Sequence, residues 1–366
     1  MEKYLSIRVN TALYMSIFFL SLHYVFVYLT NSSILRYHFN FKTSEVLVIY
    51  GIASLFGLSV YLLMLREGWI DKTKRNIYIA TAIEILILVS MFYFSAYTNI
   101  YAFIVLFTIH NLITPYILFN LDVLFEAYTN IKDRGKSRGI YLTVWNTPFI
   151  VVPIVMSTLT MDNLNIVYII SAILLIPFFF LIHTYIKTPQ VNDIPPVHVL
   201  DALKKFFQDK LDRNSFLIRL SLSAYYGAIG VILPIYLHSV FNFDWDKIGL
   251  ILSVMVAPFI LIQIPFGNIE DKKHNEKSIM HLGAITAIVF TIFLALISPE
   301  YDPNISFLLF IVFLFVANIG LSLVEISMDS MFYKHVTSRD NSALLIIRSA
   351  RIIPYILGII FILISF

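Results

Sequence analysis

The 366-residue chain is 59% hydrophobic and 16% aromatic but only 13% charged, with a mean hydropathy of +0.82, and no soluble fold buries that much apolar side chain. The absence of cysteine excludes disulfides, thiolate metal sites and thiol catalysis. A formal net charge of +3 is modest, so the placement of the charges carries more information than their sum, and a lipid bilayer, not a nucleic acid, is the expected partner.

A membrane-crossing helix needs roughly 20 apolar residues. Eleven such segments follow one another, near 10–35, 44–65, 76–96, 99–127, 140–161, 164–186, 214–240, 245–266, 278–298, 305–332 and 343–365. The first follows a short charged stretch and is succeeded by no small-residue cleavage site, so it reads as a retained span. Span 1 carries His23 and Tyr24 near its middle, and span 3 carries Glu84. Span 4 places His110 and Asn111 near its middle and Asp122 and Glu126 near its end; span 5 carries Asn146. In span 7, Tyr225 and Tyr226 precede Gly227, Gly230 and Pro234, residues that loosen a helix and predict a bend. Span 10 holds Asn318, Glu325 and Asp329, and Arg348 and Arg351 project from span 11 about two turns in.

Lys and Arg collect at the amino terminus and after spans 2, 4, 6, 8 and 10, whereas the loops on the other side hold only Arg36, Lys42 and Lys247. That asymmetry places the amino terminus in the cytoplasm. Residues 187–213 form the longest polar stretch, a cytoplasmic linker that divides a six-helix bundle over 1–186 from a second bundle over 214–366. Within it Val197, Leu200, Leu203, Phe206, Phe207 and Leu211 lie opposite Asp201, Lys204, Lys205 and Lys210, the pattern of an amphipathic interfacial helix.

The halves resemble one another. His38, Phe39, Asn40 and Phe41 correspond to Val240, Phe241, Asn242 and Phe243 at an offset of 202, which sets His23 and Tyr24 on Tyr225 and Tyr226. Asp71 and Lys72 match Asp271 and Lys272, and Arg134 and Ser137 match Arg339 and Ser342. Both halves begin on the same side of the membrane, so the repeats are parallel.

The stretch from Gly267 to Lys273, with Asp271 and Lys272 four and five residues after the glycine, resembles the Gly-x-x-x-Asp-Arg/Lys loop of the major facilitator superfamily. Asp71 to Arg75 is similar to its first-half copy, with Gly68 three residues ahead of the Asp instead of four, and Asp133 to Gly139 is similar to the family's Arg-Gly loop before span 5. The resemblance covers essentially the whole chain and implies an all-α membrane protein of two parallel-repeat bundles, although members usually have twelve spans and this chain stops at Phe366 in or just after the eleventh. Span 5 keeps Pro148 and Pro153 but has Asn146, Val151 and Val152 where the family's drug antiporters carry a glycine-rich Gly-Pro motif, which argues against drug–proton antiport.

The resemblance also implies that spans 1, 4, 7 and 10 line a central cavity, making His23, Tyr24, His110, Asn111, Tyr225, Tyr226 and Asn318, with Asn146, Arg348 and Arg351, the expected substrate contacts. Each has a plainer reading as a hydrogen-bonded residue of the bundle. Asp122 with Glu126, and Glu325 with Asp329, are spaced i,i+4 and share a helix face. With Asp71, Arg134, Asp271 and Glu84 they are expected to gate the transporter or carry protons, the resemblance pairing a span-4 carboxylate with the basic loop after span 2. Arg348 and Arg351 either neutralise Glu325 and Asp329 or receive an anionic substrate.

The expected function is secondary active transport of a small solute by alternating access, with protons as the natural coupling ion, by a monomer in the cell membrane that needs no cofactor or metal. No phosphate-binding Gly-x-x-x-x-Gly-Lys-Ser/Thr loop is present, so an ATP motor is not expected. A membrane-embedded lipid-modifying enzyme is the alternative from another class, set back by the lack of a convergent nucleophile, base or metal cluster; a transport-inactive receptor or scaffold on the same fold is the third.

Overall fold

The computed structural model describes residues 2–67, 73–97, 99–129, 134–159, 163–186, 198–273, 275–336 and 341–357. Among them the backbone is helix and short connection, with no strand. In chain order the helices are α1 (Glu2–Ser33), α2 (Thr43–Glu67), α3 (Thr73–Ala96), α4 (Ile100–Tyr128), α5 (Arg134–Asn146), α6 (Pro148–Ser157), α7 (Ile166–Tyr185), α8 (Val199–Gln208), α9 (Lys210–Gly227), α10 (Leu233–Ser239), α11 (Trp245–Lys273), α12 (Glu276–Ala295), α13 (Pro303–His335) and α14 (Asn341–Ser349). Ten segments are long and apolar enough to cross a membrane. The eleventh expected span opens as α14, turns at residues 350–352 and resumes as helix over 353–357; its remainder lies outside the described residues.

Two spans are broken where the sequence removes a backbone donor. Span 5 is interrupted at Thr147, one residue before Pro148 opens α6, the first-turn position that proline tolerates because its missing N–H has no helical acceptor there. In span 7 the loosening expected from Gly227, Gly230 and Pro234 is a π-helical stretch, Ala228–Ile232, joining α9 to α10.

The repeat seen in the sequence has a backbone cause. Asn40 and Asn242 have φ of 59° and 55°, the left-handed region that asparagine enters more readily than other side-chain-bearing residues. In each copy the chain then folds back on the helix end: Phe41 N–H donates to Leu35 O at 3.1 Å, and Phe243 N–H donates to Leu237 O at 3.1 Å. This closure after a left-handed residue is similar to the Schellman motif, with one residue more enclosed by the bond. Even the next side-chain contact is repeated, with Arg36 Nη1 donating to Phe41 O at 2.9 Å and His238 Nδ1 lying 3.0 Å from Phe243 O.

The packing separates into two units. Unit 1 comprises Met1–Tyr128, Met161–Gly227 and Val336–Phe366, and unit 2 comprises Thr129–Thr160 and Ala228–His335. In unit 1, α1 packs on α7, α3 on α4 and α7, and α2 on α4, while α14 lies against α2, α4, α8 and α9. The expected interfacial helix is α8; it buries Ala202 and Phe206 and leaves Leu200 exposed. In unit 2, α11 packs on α5, α6 and α13, and α12 on α13. Three glycines set close approaches in unit 2: a Cβ on Gly139 would meet Gln263 O at 2.6 Å, one on Gly283 would meet Gly320 O at 2.5 Å, and one on Gly320 would meet Gly283 O still more closely. Each helix pair therefore meets backbone to backbone.

Candidate functional site

The charged and polar residues singled out from the sequence fall into buried groups within each unit. In unit 1, three helices bring together residues far apart in the chain. Glu84 on α3, His110 on α4 and His23 on α1 are all buried, Glu84 and His23 completely. His110 Nδ1 lies 2.5 Å from Glu84 Oε1, and His23 Nε2 lies 3.5 Å from the same oxygen. Thr114 Oγ1, one turn along α4, is 3.2 Å from His110 Nδ1. Among the described residues, both ring nitrogens of His23 and Glu84 Oε2 have no hydrogen-bond partner. Glu84, expected to gate or carry protons, thus lies against a histidine of the neighbouring helix that is expected to contact substrate.

One face of α4 further along carries buried Asp122 and Glu126, as the i,i+4 spacing requires. Asp122 Oδ2 forms an ion pair with Arg348 Nη2 of α14 at 2.6 Å. Asp122, the carboxylate for which the resemblance implied the loop after span 2, is a partner that neither expected reading of Arg348 had named. That loop, with Asp71, lies outside the described residues. Arg348, Arg351, Asp122 and Tyr24 share the electrostatic surroundings of Tyr61.

Beside this pair runs an aromatic cluster. Tyr24 stacks on Tyr28 with ring centroids 5.5 Å apart. The Tyr28 hydroxyl donates to Tyr226 O at 3.1 Å and lies 3.1 Å from the Tyr355 hydroxyl, and Tyr50 stacks on Tyr355 at 6.0 Å. Tyr226 therefore enters through its carbonyl. Tyr225 sits edge-on to Tyr226, its buried hydroxyl without a partner among the described residues. Asn111 is turned back on its own helix, donating to Phe107 O at 2.8 Å.

In unit 2, Asn146 Nδ2 donates to Gln263 Oε1 at 3.3 Å, and Gln263 Nε2 donates to Glu325 Oε2 at 3.1 Å. This relay joins spans 5, 8 and 10. Asp329 is buried one turn beyond Glu325. Arg138, fully buried on α5, sets its guanidinium 3.4 Å from the centre of the Tyr333 ring, a cation–π contact worth about 2 kcal/mol or more when desolvated. Asn318 donates to Met255 O at 2.7 Å and so ties span 10 to span 8. The side chains of Arg134 and Asp271 are outside the described residues, although both positions are helical.

Sequence reasoning missed Tyr28, Tyr355, Arg138 and Gln263. Gln263 had a signal, a lone amide in an apolar run, and Tyr28 repeats Tyr24 one turn on; Arg138 stood inside the quoted Arg-Gly loop without being chosen.

Residues 13–359 match the Major Facilitator Superfamily. The chain belongs to that family, and it is an integral, multi-pass membrane protein of the transporter class. No curated protein matches the sequence. Among solved structures, a point variant of the nucleoside transporter NupG superposes with a TM-score of 0.70 at 16% identity, covering 96% of this chain and 90% of that one. A bacterial homologue of the iron transporter ferroportin in an outward-facing state gives 0.70 at 11% identity, covering 96% and 91%. A variant of the E. coli fucose:proton symporter FucP gives 0.64 at 13% identity, covering 97% and 90%. At these identities the likeness establishes the fold.

Proposed function

We propose that the protein is a secondary transporter that moves a small solute across the cell membrane by alternating access, with its amino terminus in the cytoplasm. The observation that carries this reading is where the buried polar contacts lie. Span 4, from the first sequence half, is ion-paired through Asp122 to Arg348 of α14, from the second half. Span 5, from the first half, is hydrogen-bonded through Asn146 to Gln263, and Gln263 to Glu325, in the second. Asp122, Arg348, Gln263 and Glu325 all sit toward the helix ends that lead into the Lys- and Arg-rich loops. Contacts that join the sequence halves near the ends leading into those loops are what a gate there needs: held, they close that end, and released, they open it.

Protons are the coupling ion in this reading. Glu325 and Asp329 share a buried face of α13, with Gln263 of α11 and Arg138 of α5 on the helices packed against it. Protonating a carboxylate there weakens its hold on the partners that keep the gate shut. The substrate contacts are taken to come from Tyr24 and Arg351, two members of the expected set that are not wholly buried.

The test is uptake by proteoliposomes offered nucleosides, sugars, organic anions and divalent metal ions, with and without an inwardly directed proton gradient. Accumulation of one class that collapses with the gradient, and a Glu325→Gln variant that exchanges solute without accumulating it, are the expected results. Silence across the panel from folded protein would sink the reading.

A further inference from the structure

We infer that His23, Glu84 and His110 form a binding site for a divalent first-row transition-metal ion inside the helical bundle of unit 1. One nitrogen of each histidine and one carboxylate oxygen of Glu84 all lie within 4.8 Å of one another. Tetrahedral bonds of about 2.0–2.2 Å to a shared ion call for donor separations of about 3.3–3.6 Å, so side-chain shifts of about an ångström complete the site. The one separation that must widen is the 2.5 Å between His110 Nδ1 and Glu84 Oε1, and Glu84 has a second oxygen to offer.

The second observation is independent of spacing. His23 is completely buried, yet neither of its ring nitrogens has a hydrogen-bond partner, and the same holds for Glu84 Oε2 in an equally buried side chain. Buried polar atoms left unmade cost about 1–3 kcal/mol each. Among the described residues the only ion-pair partners of Glu84 are the two imidazoles. A proton shared between Glu84 and His110 accounts for one short contact and leaves the lone pairs of His23 without a role. A divalent ion uses that nitrogen, the free carboxylate oxygen and the carboxylate charge together.

Donor chemistry sets the class of ion. Two imidazoles and one carboxylate suit Zn2+, Fe2+, Co2+ or Mn2+ better than Ca2+ or Mg2+, which prefer all-oxygen shells. Three protein ligands leave a coordination position open, as sites that exchange or activate a ligand do. The inference concerns binding and does not depend on which solute the protein moves.

The experiment uses the tag-free full chain in lipid nanodiscs, titrated with Co2+ and followed by its visible ligand-field absorption, then back-titrated with Zn2+. One Co2+ per chain, with bands of a low-coordinate nitrogen–oxygen site that Zn2+ bleaches, is expected. Glu84→Gln and His23→Gln should each weaken binding by more than about tenfold, since loss of a mere supporting partner already costs 10–100-fold. His281→Gln, at an exposed histidine, should bind as the unmodified chain does. Because a triad variant can misfold, the thermal shift produced by Zn2+ is measured in parallel: it should appear in the unmodified chain and in His281→Gln and vanish in folded Glu84→Gln. Absence of the Co2+ bands from the folded unmodified chain, or equal binding by it and Glu84→Gln, would overturn the site and leave the triad a proton-sharing cluster.

Discussion

Spans 1 and 7 end in the same way and differ in the middle. Both close on an asparagine with φ near 60° and a bond from the following phenylalanine to the carbonyl six residues back. At the midpoint, however, the aligned positions hold His23 and Tyr225: His23 lies in a buried cluster with Glu84 and His110, whereas Tyr225 is followed within a turn by the π-helical stretch Ala228–Ile232. A helix end must satisfy its terminal carbonyls whatever the protein does, so the cap is held to one solution in both copies. The helix middle has its backbone bonds already made, which leaves its side chains free to diverge toward separate tasks.

This contrast between backbone-dictated and side-chain-dictated positions can be broken at several points. The largest effect is expected at Gly283, where backbone meets backbone: Gly283→Val pushes side-chain atoms into Gly320 O and should destabilise unit 2 by more than about 3 kcal/mol, read as lost thermal stability in nanodiscs. Next, Arg348→Ala removes the ion-pair partner of the buried Asp122 carboxylate and should cost about 3–5 kcal/mol. The double variant Arg348→Met with Asp122→Leu should recover most of that loss in a double-mutant cycle, and additive losses would show that the pair is not coupled. A smaller, matched effect is expected at the caps. Asn40→Ala and Asn242→Ala should each cost about 1–2 kcal/mol because alanine pays the left-handed penalty in full, and the glycine variants should be close to neutral; unequal losses at the two sites would show that the copies are not energetically equivalent. Smallest is Tyr28→Phe, which removes the hydroxyl shared with Tyr226 O and Tyr355 and should cost about 1 kcal/mol, with melting temperature as the measure.

The repeated cap was legible in the sequence because its phenylalanines and asparagine are neighbours along the chain. The i,i+4 pair Asp122 and Glu126 was legible for the same reason, as both lie on one face of α4. Partners across helices were not. Arg348 had two readings in the sequence, a partner of Glu325 and Asp329 or a receiver of an anionic substrate, and its pairing with Asp122 appeared only with the packing of α14 against α4. His23, Glu84 and His110 looked like unrelated polar residues because they are separated by 61 and 26 positions.

The sequence by itself determined that this is a polytopic helical membrane protein with parallel repeats, where its ten described spans run and that span 7 loosens. Hydrophobic length, glycine and proline act locally, and a bilayer leaves a helix no other way to satisfy its backbone. Only the tertiary structure decided which buried charges meet. A carboxylate or guanidinium inside a bundle takes whichever partner the packing brings within reach, and at Gly139 and Gly283 that packing is governed by how closely two backbones approach.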